Sequence, residues 1–284
     1  MNENRTELRK YKIGELIFGV EGPDFTEPEI PGKFRVSEGE PDYLLKVRVV
    51  PTLSVPEGPV IRKENHAETY ETADGPVTLV RFERDEKPFY RYTENGPETY
   101  VELSADYADY YSFPVILSLF RVPERELLSG AAFLHASFIS AGDGAVLFTA
   151  AKQVGKSTQA RLWKEFRGAL TVNGDRALLL KKANVWYAAG SPYAGTSKIS
   201  ENVVLPLKAV VVLGRSENGT PEIRRATVKE AAKALFDGCS YNPTKAADLE
   251  RMLGLSDDLI QSVPFFKLYA TISEESVKVL EEAL

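Results

Sequence analysis

The sequence predicts an α+β protein in two parts: an antiparallel β-rich part over residues 1–108 and a mixed α/β, nucleotide-binding part over residues 109–284. Three observations carry this reading. Short runs that alternate apolar and charged residues, broken by Pro and Gly, fill the N-terminal part. Near Tyr110 the apolar period lengthens from that of a strand to that of a helix. Further on, the apolar run at 145–149 breaks into a short loop that ends Gly155-Lys156-Ser157-Thr158 at the head of an amphipathic helix.

Composition sets the frame. A chain of 284 residues with 43% hydrophobic content can bury a sizeable core in one large or two modest domains. With 35 basic against 41 acidic residues the net charge is −6, which argues against a general nucleic-acid or anionic-membrane surface, because phosphate backbones need a basic face. The single cysteine, Cys239, excludes an intramolecular disulfide and a Cys-cluster metal site, as expected for a reducing cytoplasm, and reads as a small buried apolar residue. The charged N-terminus lacks the apolar segment of a signal peptide, and no apolar run has the length of a membrane span, so a cytoplasmic, soluble protein is expected.

In the first part, β-formers at 11–20 precede Glu-Gly-Pro. Residues 43–50 and 77–83 alternate over much of their length, and Tyr90-Arg-Tyr and Tyr100-Val-Glu-Leu continue the pattern after Lys-Pro and Asn-Gly breaks. An antiparallel sheet of modest strands accounts for them. From Tyr110 to Ser129, Val115, Leu117, Leu119, Phe120 and Val122 indicate one or two helices. Two apolar strands follow, 132–139 and 145–149, joined by Ser-Ala-Gly-Asp-Gly as a hairpin. In the helix after the loop, Ala160, Leu162, Trp163 and Phe166 form one apolar face, and Gly168 is its stop. Strands are then expected at 169–172, 177–180, 185–189 and 207–213, with amphipathic helices at 228–236 and 273–284.

The loop carries the chemistry. Amides at a helix N-terminus lack intrahelical partners and carry partial positive charge, which suits a polyphosphate. Lys152, Gln153, Val154, Gly155, Lys156, Ser157 and Thr158 are the candidate nucleotide-binding residues, with Lys156 reaching the outer phosphates and Ser157 ligating the accompanying Mg²⁺. The strict pattern has glycine at position 150, where this chain has Ala150, and the loop interior Ala151-Lys152-Gln153-Val154 has none. A positive φ there would cost Gln153 or a neighbour roughly 1 kcal/mol or more. Asp175, in Asn173-Gly174-Asp175-Arg176 between two apolar runs, is the candidate metal ligand or base; the same residues also suit a plain turn. His135 sits in an apolar strand, where a satisfied core histidine is the default, and His66 is assigned nothing. The small-residue loop from Gly190 to Lys198 either contacts substrate or connects elements.

In order and separation, Leu134-His135-Ala136-Ser137, Gly155-Lys156-Ser157-Thr158-Gln159-Ala160 and Asn173-Gly174-Asp175-Arg176 resemble the HPr kinase/phosphorylase-like branch of the phosphoenolpyruvate carboxykinase superfamily. The resemblance is good over residues 130–215, and Phe148-Thr149-Ala150 also fits the group. It implies a carboxykinase-like P-loop core after the β-rich part and a kinase-like, ATP-dependent phosphotransferase. ATP or another nucleoside triphosphate and Mg²⁺ would be the cofactors, and a hydroxyl on a small molecule, peptide or protein the acceptor. Lys156, Asp175 and His135 would be catalytic, Ser157 and Asp175 would hold the metal, and His135 would orient Asp175 or contact the transferring phosphate. Homo-oligomers are frequent in this group. Two departures stand out. Ala151-Lys152-Gln153-Val154 replaces the group's Pro-Ser-Gly-Thr, and Gly174 stands where the group has the first acid of an Asp-Asp pair, the one thought to handle the acceptor's proton. The additional metal-binding Lys and His of a true carboxykinase are not evident. An alternative follows from these departures: a non-catalytic protein whose altered loop still binds a nucleotide or anion.

Overall fold

The computed structural model describes residues 7–84 and 86–284 and divides the chain into two compact units, the first ending at Arg121 and the second spanning Val122–Leu284. Residue 108, where the change of period suggested a boundary, lies inside the 3-10 segment Ala105–Tyr110 of the first unit.

The first unit is a nine-stranded sheet built from β1 (Arg9–Ile13), β2 (Leu16–Glu21), β3 (Arg35–Val36), β4 (Tyr43–Val50), β5 (Val60–Glu64), β6 (Ala67–Thr72), β7 (Gly75–Arg81), β8 (Pro88–Asn95) and β9 (Glu98–Ser104), with the short α1 (Glu29–Gly32) and α2 (Phe113–Phe120). The run at 11–20, read as one β segment, is a hairpin turning at Gly14 (φ 60°). The strand order is β3-β1-β2-β4-β9-β8-β7-β6-β5. The sheet is not wholly antiparallel, because β4 runs parallel to both of its neighbours, β2 and β9. The β2–β4 connection is long enough to carry α1 and β3, and β9 returns to β4 only after the β5–β8 meander. Tyr11, Phe18, Leu45 and Leu103 of the sheet and Phe113, Ile116 and Phe120 of α2 are all buried.

The second unit contains α3 (Val122–Leu128), β10 (Ala132–Ala141), β11 (Gly144–Thr149), α4 (Lys156–Arg167), β12 (Thr171–Asn173), β13 (Arg176–Lys182), β14 (Val185–Ala189), β15 (Val204–Arg215), β16 (Glu222–Arg225), α5 (Val228–Gly238), α6 (Ala246–Ser262), β17 (Phe265–Ala270) and α7 (Glu274–Glu281). Two long strands change partners along their length. β10 pairs with β13 over residues 132–135 and with β11 over 136–141, both antiparallel. β15 pairs with β14 over 204–206, then runs parallel to β11 and, from Val210, to β17. Strands β11, β10, β13, β14 and β15 therefore close on one another.

Each residue of β11 is buried, as expected of a central strand covered on both faces. On one side Leu235 of α5 and Met252, Leu255 and Leu259 of α6 pack with Leu134, Phe138, Leu147 and Val210. On the other, Ala160, Leu162 and Trp163 of α4 and Val277 and Leu280 of α7 pack with Val146, Phe148, Val211 and Leu268. The apolar face of α4 differs from expectation at one position. Phe166 is exposed, while Gln159 is buried, donating from Nε2 to the Thr271 carbonyl oxygen at 3.0 Å. Gly168 ends the helix at φ 65°, its amide donating to the Lys164 carbonyl oxygen and that of Ala169 to Trp163.

Candidate functional site

The parallel strands β11, β15 and β17 point their C-terminal ends the same way, the edge at which ligands bind in open α/β sheets. The candidate loop leaves β11 at this edge and enters α4 at Lys156. Its backbone is bent at two positions: Gln153 has φ 66° and Gly155 φ 123°. The second is open to glycine alone, and the first is the left-handed geometry that carries a cost in a loop without a central glycine.

The first intrahelical bond of α4 runs from the Gln159 amide to the Gly155 carbonyl oxygen at 2.9 Å. Among the described residues the amides of Gly155, Lys156, Ser157 and Thr158 donate to no chain acceptor, and no side chain caps the helix. They form a cluster of donors at the positive end of a twelve-residue helix. Lys152, Gln153 and Ser157 are exposed, Val154 and Thr158 half-buried. Lys156 is buried, and its Nζ donates to the Ala150 carbonyl oxygen at 3.1 Å, so the lysine spans the loop from its helix end to its strand end. Burial lowers the Lys156 pKa, and the Asp175 carboxylate opposes that shift.

Asp175 lies across the seam where β10 passes from β13 to β11. His135 is the last β10 residue opposite β13 and Ala136 the first opposite β11. The Asp175 carbonyl oxygen accepts from the Ala136 amide at 3.0 Å and lies 3.0 Å from His135 Nδ1. A carbonyl can only accept, so the ring proton belongs on Nδ1 and Nε2 is left as the acceptor. The Asp175 carboxylate stands 3.6 Å from His135 Nδ1 and 3.6 Å from Arg176 Nε. Burial, then the Lys156 cation, push the His135 pKa down, against the pull of Asp175. His135, Lys156 and Asp175 thus form one electrostatically connected group, drawn from three elements.

The turn that presents Asp175 is organised by Asn173, a fully buried residue. Its Oδ1 accepts from the amides of Asp175 (2.8 Å) and Arg176 (2.9 Å), and its Nδ2 donates to the Ser191 carbonyl oxygen at 2.9 Å. The Asn-Gly-Asp stretch is therefore a side-chain-built turn, as its composition allows, and it also holds a carboxylate within electrostatic range of the loop lysine. The loop from Gly190 to Lys198 folds back onto this turn. A Cβ on Gly195 (φ 55°) would lie 2.6 Å from Asp175 Cγ. A Cβ on Gly174 would lie 2.5 Å from Ser197 Cβ and nearer still to its Oγ, and the Gly174 amide donates to the Ile199 carbonyl oxygen at 3.2 Å. Position 174 has no room for a carboxylate in this packing; Ser197 fills that space.

Arg215, at the end of β15, was not singled out from sequence. It donates from a terminal guanidinium nitrogen to the Gln153 carbonyl oxygen at 2.9 Å. Only the parallel register, which sets Thr149 opposite Val212, places a strand-end arginine beside the loop. His66 lies in the exposed turn between β5 and β6. Cys239 is buried, and burial pushes its thiol pKa up to about 12. The first unit has a cleft of ≈ 820 Å³ whose lining includes three paired basic side chains, Lys46 with Glu98 and both Arg48 and Arg91 with Glu102.

Among the described residues no group of three or more His, Cys, Asp or Glu side chains is placed to hold a metal, and no helix is long and apolar enough to cross a membrane. Mg²⁺ does not need such a group when phosphates and water complete its shell, and one carboxylate plus one hydroxyl suits a metal that arrives with a nucleotide.

No protein-family model matches the chain, and no curated protein matches it. Among solved structures it is similar to the HPr(Ser) kinase/phosphatase from Coxiella burnetii, at 13% identity over 53% of this chain and 93% of that one, with a TM-score of 0.32. That likeness is distant.

Proposed function

We propose that the unit Val122–Leu284 binds ATP, or another nucleoside triphosphate, at the loop between β11 and α4 and passes its terminal phosphoryl group to a hydroxyl on a small molecule, peptide or protein. The observation that carries this reading is the juxtaposition of the four unclaimed amides of residues 155–158 with Lys156 and Asp175. Phosphoryl transfer is chiefly a matter of positioning and charge neutralisation, and donors fixed in place before the ligand arrives serve both. The amides and Lys156 would hold the β- and γ-phosphates. Ser157 and Asp175 would hold Mg²⁺, which supplies further charge neutralisation at the transferring group. His135 would orient Asp175 through its Nδ1 side, and its Nε2 could contact the transferring phosphate only as a protonated donor, because an acceptor nitrogen repels the phosphate oxygens.

A second reading, nucleotide binding without transfer, is favoured by one feature. The residue before Asp175 is a glycine packed against Ser197, so a second carboxylate is missing there. Calorimetric titration of Mg·ATP and Mg·ADP into wild type and Lys156→Ala, followed by assays of phosphoryl transfer to an acceptor panel, separates the readings. Losing the charged hydrogen bonds of Lys156 should weaken binding at least about tenfold. Equal affinity in the two proteins, or none in either, refutes both readings. Tight binding without product on any acceptor leaves the second.

A further inference from the structure

We infer that Arg215 is a positioning residue for the phosphate loop: by holding the Gln153 carbonyl oxygen it turns the following amide, that of Val154, toward the cluster of donors at the start of α4. This rests on the nucleotide-binding reading and adds to it a residue that no loop motif contains. The argument is stereochemical. In a trans peptide the C=O and N–H of one unit point in opposite directions, so fixing the Gln153 oxygen fixes the Val154 N–H as well. Arg215 donates to that oxygen at 2.9 Å, from a strand whose pairing with β11 and β17 holds it independently of the loop.

The need for such a clamp is visible in the backbone. Gln153 adopts φ 66°, a conformation a residue with a Cβ avoids when nothing holds it there. Lys156 ties the strand end of the loop through Ala150, and the Gln159 amide ties the helix end through Gly155. The Arg215 bond holds the crown between them. Loops of this kind commonly relieve the same position with glycine; this chain keeps glutamine and adds an external donor.

The test is a double-mutant cycle between Arg215→Ala and Gln153→Gly, read by calorimetric titration with Mg·ADP, with thermal unfolding to verify the fold. Arg215→Ala should weaken binding roughly fivefold to tenfold, the size of one ordinary hydrogen bond, as suits an exposed contact, and Arg215→Lys should restore part of the loss. In the Gln153→Gly background the left-handed turn needs no clamp, so Arg215→Ala should cost clearly less there. A full effect in both backgrounds would mean that Arg215 touches the nucleotide itself and would overturn the positioning role. An unchanged affinity in Arg215→Ala, with Lys156→Ala still impaired, would sink the clamp and leave the nucleotide site standing. No binding by the wild type would remove both.

Discussion

Replacing Gly174 with aspartate would restore, on paper, the acidic pair that this chain lacks. The packing says that it will disrupt the site instead. Gly174 is not in the left-handed region, so the backbone itself tolerates a side chain, and the obstacle is Ser197. A Cβ at 174 would sit 2.5 Å from Ser197 Cβ, where non-bonded carbons settle at about 3.5–4.0 Å, so one segment must retreat by roughly 1 Å or more. Forcing atoms into a packed region costs about 1–3 kcal/mol. Moving the 197–199 segment also loosens the Gly174–Ile199 backbone bond, a further ~1 kcal/mol. The sum, about 2–4 kcal/mol, corresponds to a fall in Tm of roughly 5–15 °C for a unit of this size. Thermal unfolding followed by circular dichroism measures it. The companion variant Gly174→Asp/Ser197→Gly removes the colliding atoms and should recover most of the loss. If Gly174→Asp melts with the wild type, the steric account of the missing carboxylate is wrong.

Other expectations follow from the same packing. Asn173→Asp keeps the acceptor for the amides of residues 175 and 176 but sets an oxygen against the Ser191 carbonyl oxygen in a buried place. It should destabilise by about 2–3 kcal/mol in denaturant unfolding, and a loss below ~0.5 kcal/mol would contradict the role given to Asn173. His135 should titrate below its ordinary 6.5, so the stability owed to its neutral ring is complete above that pH and declines as pH falls beneath it. The chain has two histidines, so NMR of His66→Asn isolates the His135 signal, and Lys156→Met should move its pKa upward; a value above 6.5 in the His66→Asn protein would refute the electrostatic reading. Cys239, buried with its thiol pushed up to about 12, should resist alkylation at pH 8 in the native protein and react fully once unfolded. Rapid labelling of the folded chain would show that its burial is misplaced.

Most of the second unit's central layer was legible because its strands and helices have distinct periods. The hairpin β10–β11, helix α4 with its Gly168 stop, and α5 announce themselves through apolar spacing and caps. Helix α6 did not, although it is the longest in the described chain; Gly254 and Ser256-Asp257-Asp258 interrupt its apolar pattern, and its buried face, Met252, Leu255 and Leu259, emerges only against α5 and the sheet. The edge strand β5 is exposed throughout and has no buried face for periodicity to reveal. At the site, the loop and Asp175 could be read from local motifs. Ser197 and Arg215 could not, since each matters through a partner distant in sequence that only strand register brings near. The parallel placement of β4 was hidden likewise: nothing in an alternating run states the direction of its neighbour.

Strands β10 and β15 each serve two ladders, so the wall bearing Asp175 and the wall bearing the loop before α4 hang from the same pair of strands. Prising those walls apart would tear main-chain bonds at both corners, so a wide jaw-like opening is denied to this fold.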